Sequence, residues 1–255
     1  MTPSLVLHIP HSSCFIPKTY KDDFLLEEQD LQLEILKMTD WFTDELFKRP
    51  DSARIVFPVS RLVLDPERFL DDDAEIMAAQ GMGVVYERTS DGRPLRVRPD
   101  VNRRQELVST FYIPHHQRLT AAVDESLRDH DRVLVLDCHS FPSHPLPYEQ
   151  DQQADRAEIC LGSNGFHTPT WLVDAAATQF KSLGLSVAIN RPFAGALVPA
   201  KHYQQDARVH ALMIEVNRKT YMNEEVGTPG PHFVRIASAI RKVMTVLNER
   251  EMREI

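Results

Sequence analysis

The sequence predicts a single α/β domain built on a sheet covered on both faces. Three observations predict it. Strand-like apolar runs alternate with longer amphipathic segments, as they do where helical crossovers cover a sheet. Two runs, VLVLD (133–137) and ALMIEV (211–216), are almost continuously apolar, as strands buried on both faces are. No internal repeat or low-complexity linker divides the 255 residues, so one domain is expected over 1–255.

The elements follow in order. SLVLHIP (4–10) reads as a strand. Residues 26–49 carry Leu31, Ile35, Met38, Phe42 and Leu46 at helical spacing and read as one helix. ARIVFPVS (53–60) is a second strand. The stretch 69–104 holds Gly81, Gly83, Gly92, Pro94 and Pro99 and reads as a long excursion or an active-site flap. IPHHQRLTAAVDESLRDH (113–130) is a helix with proline near its start. DRVLVLDCHS (131–140) and RAEICLG (156–162) are strands. Residues 168–184 form a helix closed by Gly184. LSVAINRP (185–192) and VHALMIEVN (209–217) are further strands, and 230–254 is a terminal helix.

Composition bounds the function. Hydrophobic residues make up 42% and charged residues 26%, as in ordinary globular proteins. A net charge of −8 argues against general nucleic-acid binding, which needs a basic footprint. Cys14, Cys138 and Cys160 are scattered, with no CxxC pair, which fits a reducing cytoplasm and no disulfide framework. The N-terminus lacks the basic region and long apolar run of a signal peptide. No apolar stretch approaches 18 residues, so no membrane span is expected.

Chemistry-bearing residues collect where strands end. His8 and His11 follow the first strand, and Arg61, Asp65 and Arg68 follow the second. Asp137, His139 and Ser140 close the third, Asn190 and Arg191 another, and Glu215, Asn217 and Arg218 the last. Ligands of open α/β sheets sit outside the carboxyl ends of the strands, so parallel neighbours would gather these residues into one cleft. Two imidazoles with a carboxylate are the usual start of a zinc site. His11 and His139 supply the imidazoles, and Asp40, Asp137 or Glu215 could supply the carboxylate. Asp137 and His139 are two apart on a strand and share a face, so Asp137 could instead orient His139. His8, before the turn, reads as structural. Glu215 is costly inside an apolar strand unless paired or used, and could act as general base and then proton donor. Arg61, Arg68, Arg191 and Arg218 suggest an anionic ligand, because guanidinium binds carboxylates bidentately; salt bridges to Asp65 and Glu215 are the plainer use.

Other chemistries find less support. Cys138 and His139 are strand neighbours pointing to opposite faces, which does not make a nucleophile–base pair. There is no GxSxG elbow, no GxGxxG and no GxxxxGK[ST].

Taken in order, HIPHSS, SRLVLDPERF, FYIPHH, LDCHS, NRPFAGALVPAKHY and MIEVNRKTYM resemble the N-formylglutamate amidohydrolase family over about residues 7–222. The resemblance implies a phosphorylase/hydrolase-like, three-layer α/β/α sandwich with a mixed, mostly parallel sheet, similar to zinc carboxypeptidases and aspartoacylase-type deacylases. It implies hydrolysis of a small anionic N-acyl amino acid, N-formyl-L-glutamate to formate and L-glutamate in the namesake reaction, within histidine degradation. It implies one Zn2+ per chain held by His11, Asp40 and His139, with Glu215 as the catalytic acid–base. Arg61, Arg68, Asn217 and Arg218 would hold substrate carboxylates. Two departures stand out: Ser13 where the family more often has glycine, and DPER where it tends to have aspartate-x-asparagine-arginine. Glu67 at the asparagine position leaves the acyl group and the amino acid open. Another N-acyl amino acid or a short peptide, or a non-catalytic binding protein for an anionic acylamino acid, are the alternative readings.

Overall fold

The computed structural model describes residues 3–252, so the ends of the expected domain and terminal helix, 1–2 and 253–255, lie outside the described residues. In chain order the elements are β1 (Leu5–Ile9), α1 (Lys18–Lys21), α2 (Glu28–Met38), α3 (Thr43–Leu46), β2 (Ala53–Val56), α4 (Val101–Leu107), α5 (Ile113–Asp129), β3 (Val133–Phe141), β4 (Ile159–Gly162), α6 (Thr170–Ser182), β5 (Val187–Ile189), β6 (Val209–Asn217), β7 (Met222–Asn223), β8 (Thr228–Pro229) and α7 (Phe233–Glu251). Short 3₁₀ turns lie at Ile76–Gln80 and Arg218–Thr220, and a π-helical turn, Val108–Tyr112, joins α4 to α5. Pro114 has no N–H to continue an α ladder, and the wider turn before it accommodates that loss.

The main sheet has strand order β2-β1-β3-β6-β4-β5. β2, β1, β3 and β6 are mutually parallel, while β4 pairs antiparallel with β6 and carries β5 with it. The sheet is therefore mixed and mostly parallel, as a three-layer α/β/α sandwich requires. Alternation along the strands separates two cores. Val6, Val133, Val135, Val209 and Ala211 pack with Leu119 and Val123 of α5 on one face. Leu5, Leu7, Leu134, Leu136, Cys138, Leu212 and Ile214 pack with α6 and α7 on the other.

Three expectations change. The 26–49 helix is broken: Thr39 is extended, Phe42 takes a left-handed φ of 63°, and only α2 and α3 are helical. The indole Nε1 of Trp41 donates to the Leu36 carbonyl across this break, and the Asp40 amide donates to the His11 carbonyl (2.9 Å each). Asp40 thus leaves the helix and joins the loop after β1. The end of β5 does not join the other strand ends, because β5 runs against β1, β3 and β6. Arg191 there pairs with Asp151 (3.0 Å) and Asn190 bonds Ser163. Finally, the 69–104 excursion is packed. Met82, Val84, Tyr86 and Leu95 are buried with Leu31, Ile35 and Met38 of α2 and with Leu62 and Leu64 after β2. The Asp65 amide donates to the Val84 carbonyl (2.8 Å), and buried Glu34 of α2 accepts from the Ser90 amide and hydroxyl. Among the described residues no helix is long and apolar enough to cross a membrane.

Leu95 is fully buried in this additional core. Leu95→Ala is therefore expected to lower unfolding free energy by about 2–5 kcal/mol, the range for a packed leucine. A loss within about 0.5 kcal/mol in denaturant titration, as at a surface site, would instead describe an open flap.

Candidate active site

The strand parity that builds the α5-side core also builds the site. Continue the row Val133–Val135 by two steps and by four, and it reaches Asp137 and His139. Val6 is followed on the same face by His8, and Val209 and Ala211 lead through Met213 to Glu215. Register places His8 beside Asp137 and His139 beside Glu215. Cys138, between them, enters the opposite core, where burial raises its thiol pKa well above the ordinary range. One face thus turns from apolar to ionisable as its parallel strands end. The loops after β1 and β2 add His11, Asp65 and Glu67, and the helix break adds Asp40.

Each of the two expected imidazoles has a carboxylate partner. His11 Nε2 lies 2.9 Å from Asp65 Oδ1, which leaves Nδ1 buried without a hydrogen-bond partner. His139 Nε2 lies 3.0 Å from Asp137 Oδ1. Asp40 Oδ2 faces the other nitrogen of each ring, 3.6 Å from His11 Nδ1 and 3.1 Å from His139 Nδ1. Glu67 approaches the same rings, with Oε2 3.7 Å from His11 Nδ1 and Oε1 3.2 Å from His139 Nε2. Donor atoms of His11, Glu67 and His139 all lie within 4.8 Å of one another, as do those of His8, Glu67 and Asp137.

The electrostatics follow from this crowding. Burial would raise the Asp40 carboxyl, but the nearby His11 ring, the hydrogen bond with His139 and the charge of Arg218 hold it well below the usual carboxylate range. Burial likewise opposes charge on His139, yet Glu67 and Asp137 hold its pKa well above the ordinary imidazole value. Glu215 is 7% exposed and its Oε2 has no hydrogen-bond partner. Burial pushes its pKa up to about 8; Asp40 and Glu67 add to the rise, and His139 and Arg218 partly offset it.

The four residues expected to hold substrate divide. Arg61 is committed to Asp65 (Nη2 to Oδ2, 2.8 Å) and to the Tyr86 hydroxyl (3.2 Å). Arg218 clamps Asp40 instead of reaching the cleft: Nη2 donates to Asp40 Oδ1 (3.0 Å) and to the Ser140 carbonyl, Nη1 to the Lys37 carbonyl. Asn217 is fully buried; its Nδ2 donates to the Ala157 carbonyl and its Oδ1 accepts from the Lys219 amide. Arg68 is the least committed, 3.8 Å from Asp65 and with Nε unpartnered.

Sequence reasoning underweighted four groups. Glu67 was visible only as a departure in a loop, yet it faces the imidazoles. Tyr86 comes from the excursion, and its hydroxyl donates to Asp65 Oδ2, the carboxylate behind His11. His8 Nδ1 donates to Asp137 Oδ1 (2.8 Å), and its Nε2 meets His115 Nε2 of α5 (2.9 Å). Burial lowers the His115 pKa to about 2, so that ring is neutral and can donate to His8. The alternation gave a signal for His8, on the same face as Asp137; nothing local gave one for Tyr86 or His115.

Arg61 and Arg68 lie against Asp65 and Arg218 against Asp40, while Glu67 and Asp137 lie against imidazoles. The buried, unpartnered Nδ1 of His11 and the oxygen–nitrogen character of the donors fit a zinc-class ion.

Comparisons with known proteins agree with this architecture. The family described as N-formylglutamate amidohydrolase matches residues 3–222. The N-formylglutamate deformylase of Pseudomonas aeruginosa is 24% identical over 251 residues, covering 96% of this chain and 91% of that protein. The N-formylglutamate deformylase of Pseudomonas putida is 25% identical over 227 residues, covering 86% and 82%. The crystal structure of N-formylglutamate amidohydrolase from Ralstonia eutropha JMP134 superposes with a TM-score of 0.86 at 23% identity, covering 100% of this chain and 96% of that one. The gene product Atu2144 of Agrobacterium tumefaciens shares the fold with a TM-score of 0.63 at 17% identity. The match over most of the chain, on the fold and strand-end cluster described above, shows that the chain belongs to the N-formylglutamate amidohydrolase family.

Proposed function

We propose that this protein is a metal-dependent amidohydrolase that cleaves a small N-acyl amino acid, N-formyl-L-glutamate first, into formate and L-glutamate. The observation that carries the reading is the convergence of the unpartnered His11 Nδ1, His139 and Asp40 at the strand ends, with Glu215 beside His139 in the sheet register. The names of the two Pseudomonas relatives support the substrate.

His11, Asp40 and His139 would hold the ion, with Asp65 and Asp137 fixing the outer nitrogen of each ring. Zinc bound there supplies Lewis-acid polarisation of the acyl carbonyl and lowers the pKa of water. Glu215 takes the proton of the attacking water. It then delivers that proton to the nitrogen of the breaking amide bond, so the amine leaves neutral. A carboxylate whose proton affinity is raised toward neutrality suits a group that takes and returns one proton per turnover. Arg68 is the guanidinium available for a substrate carboxylate. Arg218 acts on Asp40, as a positioning residue.

One observation favours a different acyl amino acid. Glu67 adds negative charge at the imidazoles, and a dicarboxylate substrate would meet it. Elemental analysis, with formate and amine release measured before and after chelation, tests the reading. About one zinc per chain and chelator-sensitive release from N-formyl-L-glutamate are expected. One zinc without release moves the substrate to another N-acyl amino acid. No bound metal, and no activity on adding zinc, would leave an anion-binding protein. Glu215→Gln is expected to lower kcat by about 10²–10⁴ with metal content unchanged, the range for losing a proton-transfer group.

A pH effect on stability follows from Glu215 itself. Its folded pKa of about 8 exceeds the unfolded value of about 4.3, so the folded state binds the extra proton between them. Its contribution is fully present below the unfolded value and is lost as pH rises through the folded one. In metal-free protein, the melting-temperature advantage of Glu215→Gln over the parent should grow from about pH 5 to pH 8 and then level off. An advantage independent of pH would show that Glu215 is ionised throughout.

A further inference from the structure

We propose that Glu67 is a second carboxylate donor to the ion held by His11 and His139, and one that can be displaced. The inference rests on the metal-dependent reading above and extends its ligand set.

Position is the first support. Glu67 Oε2 lies 3.7 Å from His11 Nδ1, the nitrogen turned toward Asp40, while Oε1 meets His139 at Nε2 (3.2 Å), the nitrogen Asp137 also holds; donor atoms of the three residues fall within 4.8 Å of one another. A tetrahedral zinc site with bonds of 2.0–2.1 Å separates its donors by about 3.3 Å. His11 Nδ1 is the independent sign of a ligand. Its ring is 2% exposed, its other nitrogen is committed to Asp65, and no hydrogen-bond donor meets it.

The difference in anchoring between the two carboxylates supports displacement. Asp40 is held by Arg218 on one oxygen and by the Ser140 amide (3.3 Å) on the other. Glu67 is fixed only through its backbone, whose N–H donates to Asp65 Oδ1 (2.9 Å). Among the described residues its carboxylate meets the rings of His8, His11 and His139. Among the described residues no guanidinium, hydroxyl or amide orients it. The Glu67 side chain is 18% exposed, so it has a path to solvent, whereas Asp40 at 3% has none. Catalytic zinc sites keep one coordination position open to exchange. An unanchored glutamate would suit that position, since it could yield it to substrate.

The test is zinc affinity, by competition with a chromophoric chelator, together with the visible spectrum of the cobalt-substituted protein. Parent, Glu67→Gln and Glu67→Asp are compared. Glutamine keeps the size and loses the charge; aspartate keeps the charge and withdraws the oxygens by one methylene. Glu67→Gln is expected to weaken zinc binding at least tenfold, since lesser outer-shell losses already cost 10–100-fold. Both variants should shift the cobalt bands, which report coordination number. An unshifted spectrum in both variants overturns the inference, even if glutamine weakens binding, because lost charge alone explains that. If the parent takes up no metal, the metal-dependent reading fails first and this inference with it.

Discussion

The site depends on burying a cluster of carboxylates among imidazoles at the ends of four parallel strands. Asp40, Asp65 and Asp137 are almost wholly inaccessible, and each lies against an imidazole. An isolated buried carboxylate is prohibitively costly, so each must be paired and hydrogen-bonded. Arg218 answers Asp40, Arg61 answers Asp65, and His8 with the Leu197 amide answers Asp137. These pairings fix the imidazole rings before any ligand arrives. Glu215 has no such partner, and its raised pKa is the direct result.

How much of this could be read in the chain depends on which residues are governed by local rules. Strand alternation is strictly local. It places Asp137, His139 and Glu215 on one face and Cys138 on the other, and the structure arranges them so. The long apolar runs marked β3 and β6 as central, and they are adjacent in the middle of the sheet. Those inferences need only the pleat and the hydrophobic pattern.

The rest depends on contacts distant in sequence. A helical period runs unbroken through Met38, Phe42 and Leu46, but Asp40 bonds the chain 29 positions earlier, and that bond replaces a turn of helix. Arg218 looks like a substrate clamp from its neighbours alone; only the fold brings it to Asp40, 178 residues away. Strand direction is equally invisible locally, so Asn190 and Arg191 resembled the other strand ends until the antiparallel pairing of β4 with β6 carried them elsewhere. Glu67 was legible as an oddity but not as a neighbour of His139, since its position is set by the Asp65 turn.

The hydroxyl of Tyr86 ties the excursion to the carboxylate that orients His11. Through that bond, and the one from the Asp65 amide to the Val84 carbonyl, the core around Met82, Val84 and Leu95 and the strand-end cluster become a thermodynamically coupled pair. Whatever binds tightly to His11 must also hold Asp65, and through it Tyr86, in place. By reciprocity, a loosened excursion must release some of its ligand. Sequence drift in this segment, remote from any reacting atom, would then register as altered affinity at the cleft, and a bound ligand would in turn shelter the segment from local unfolding.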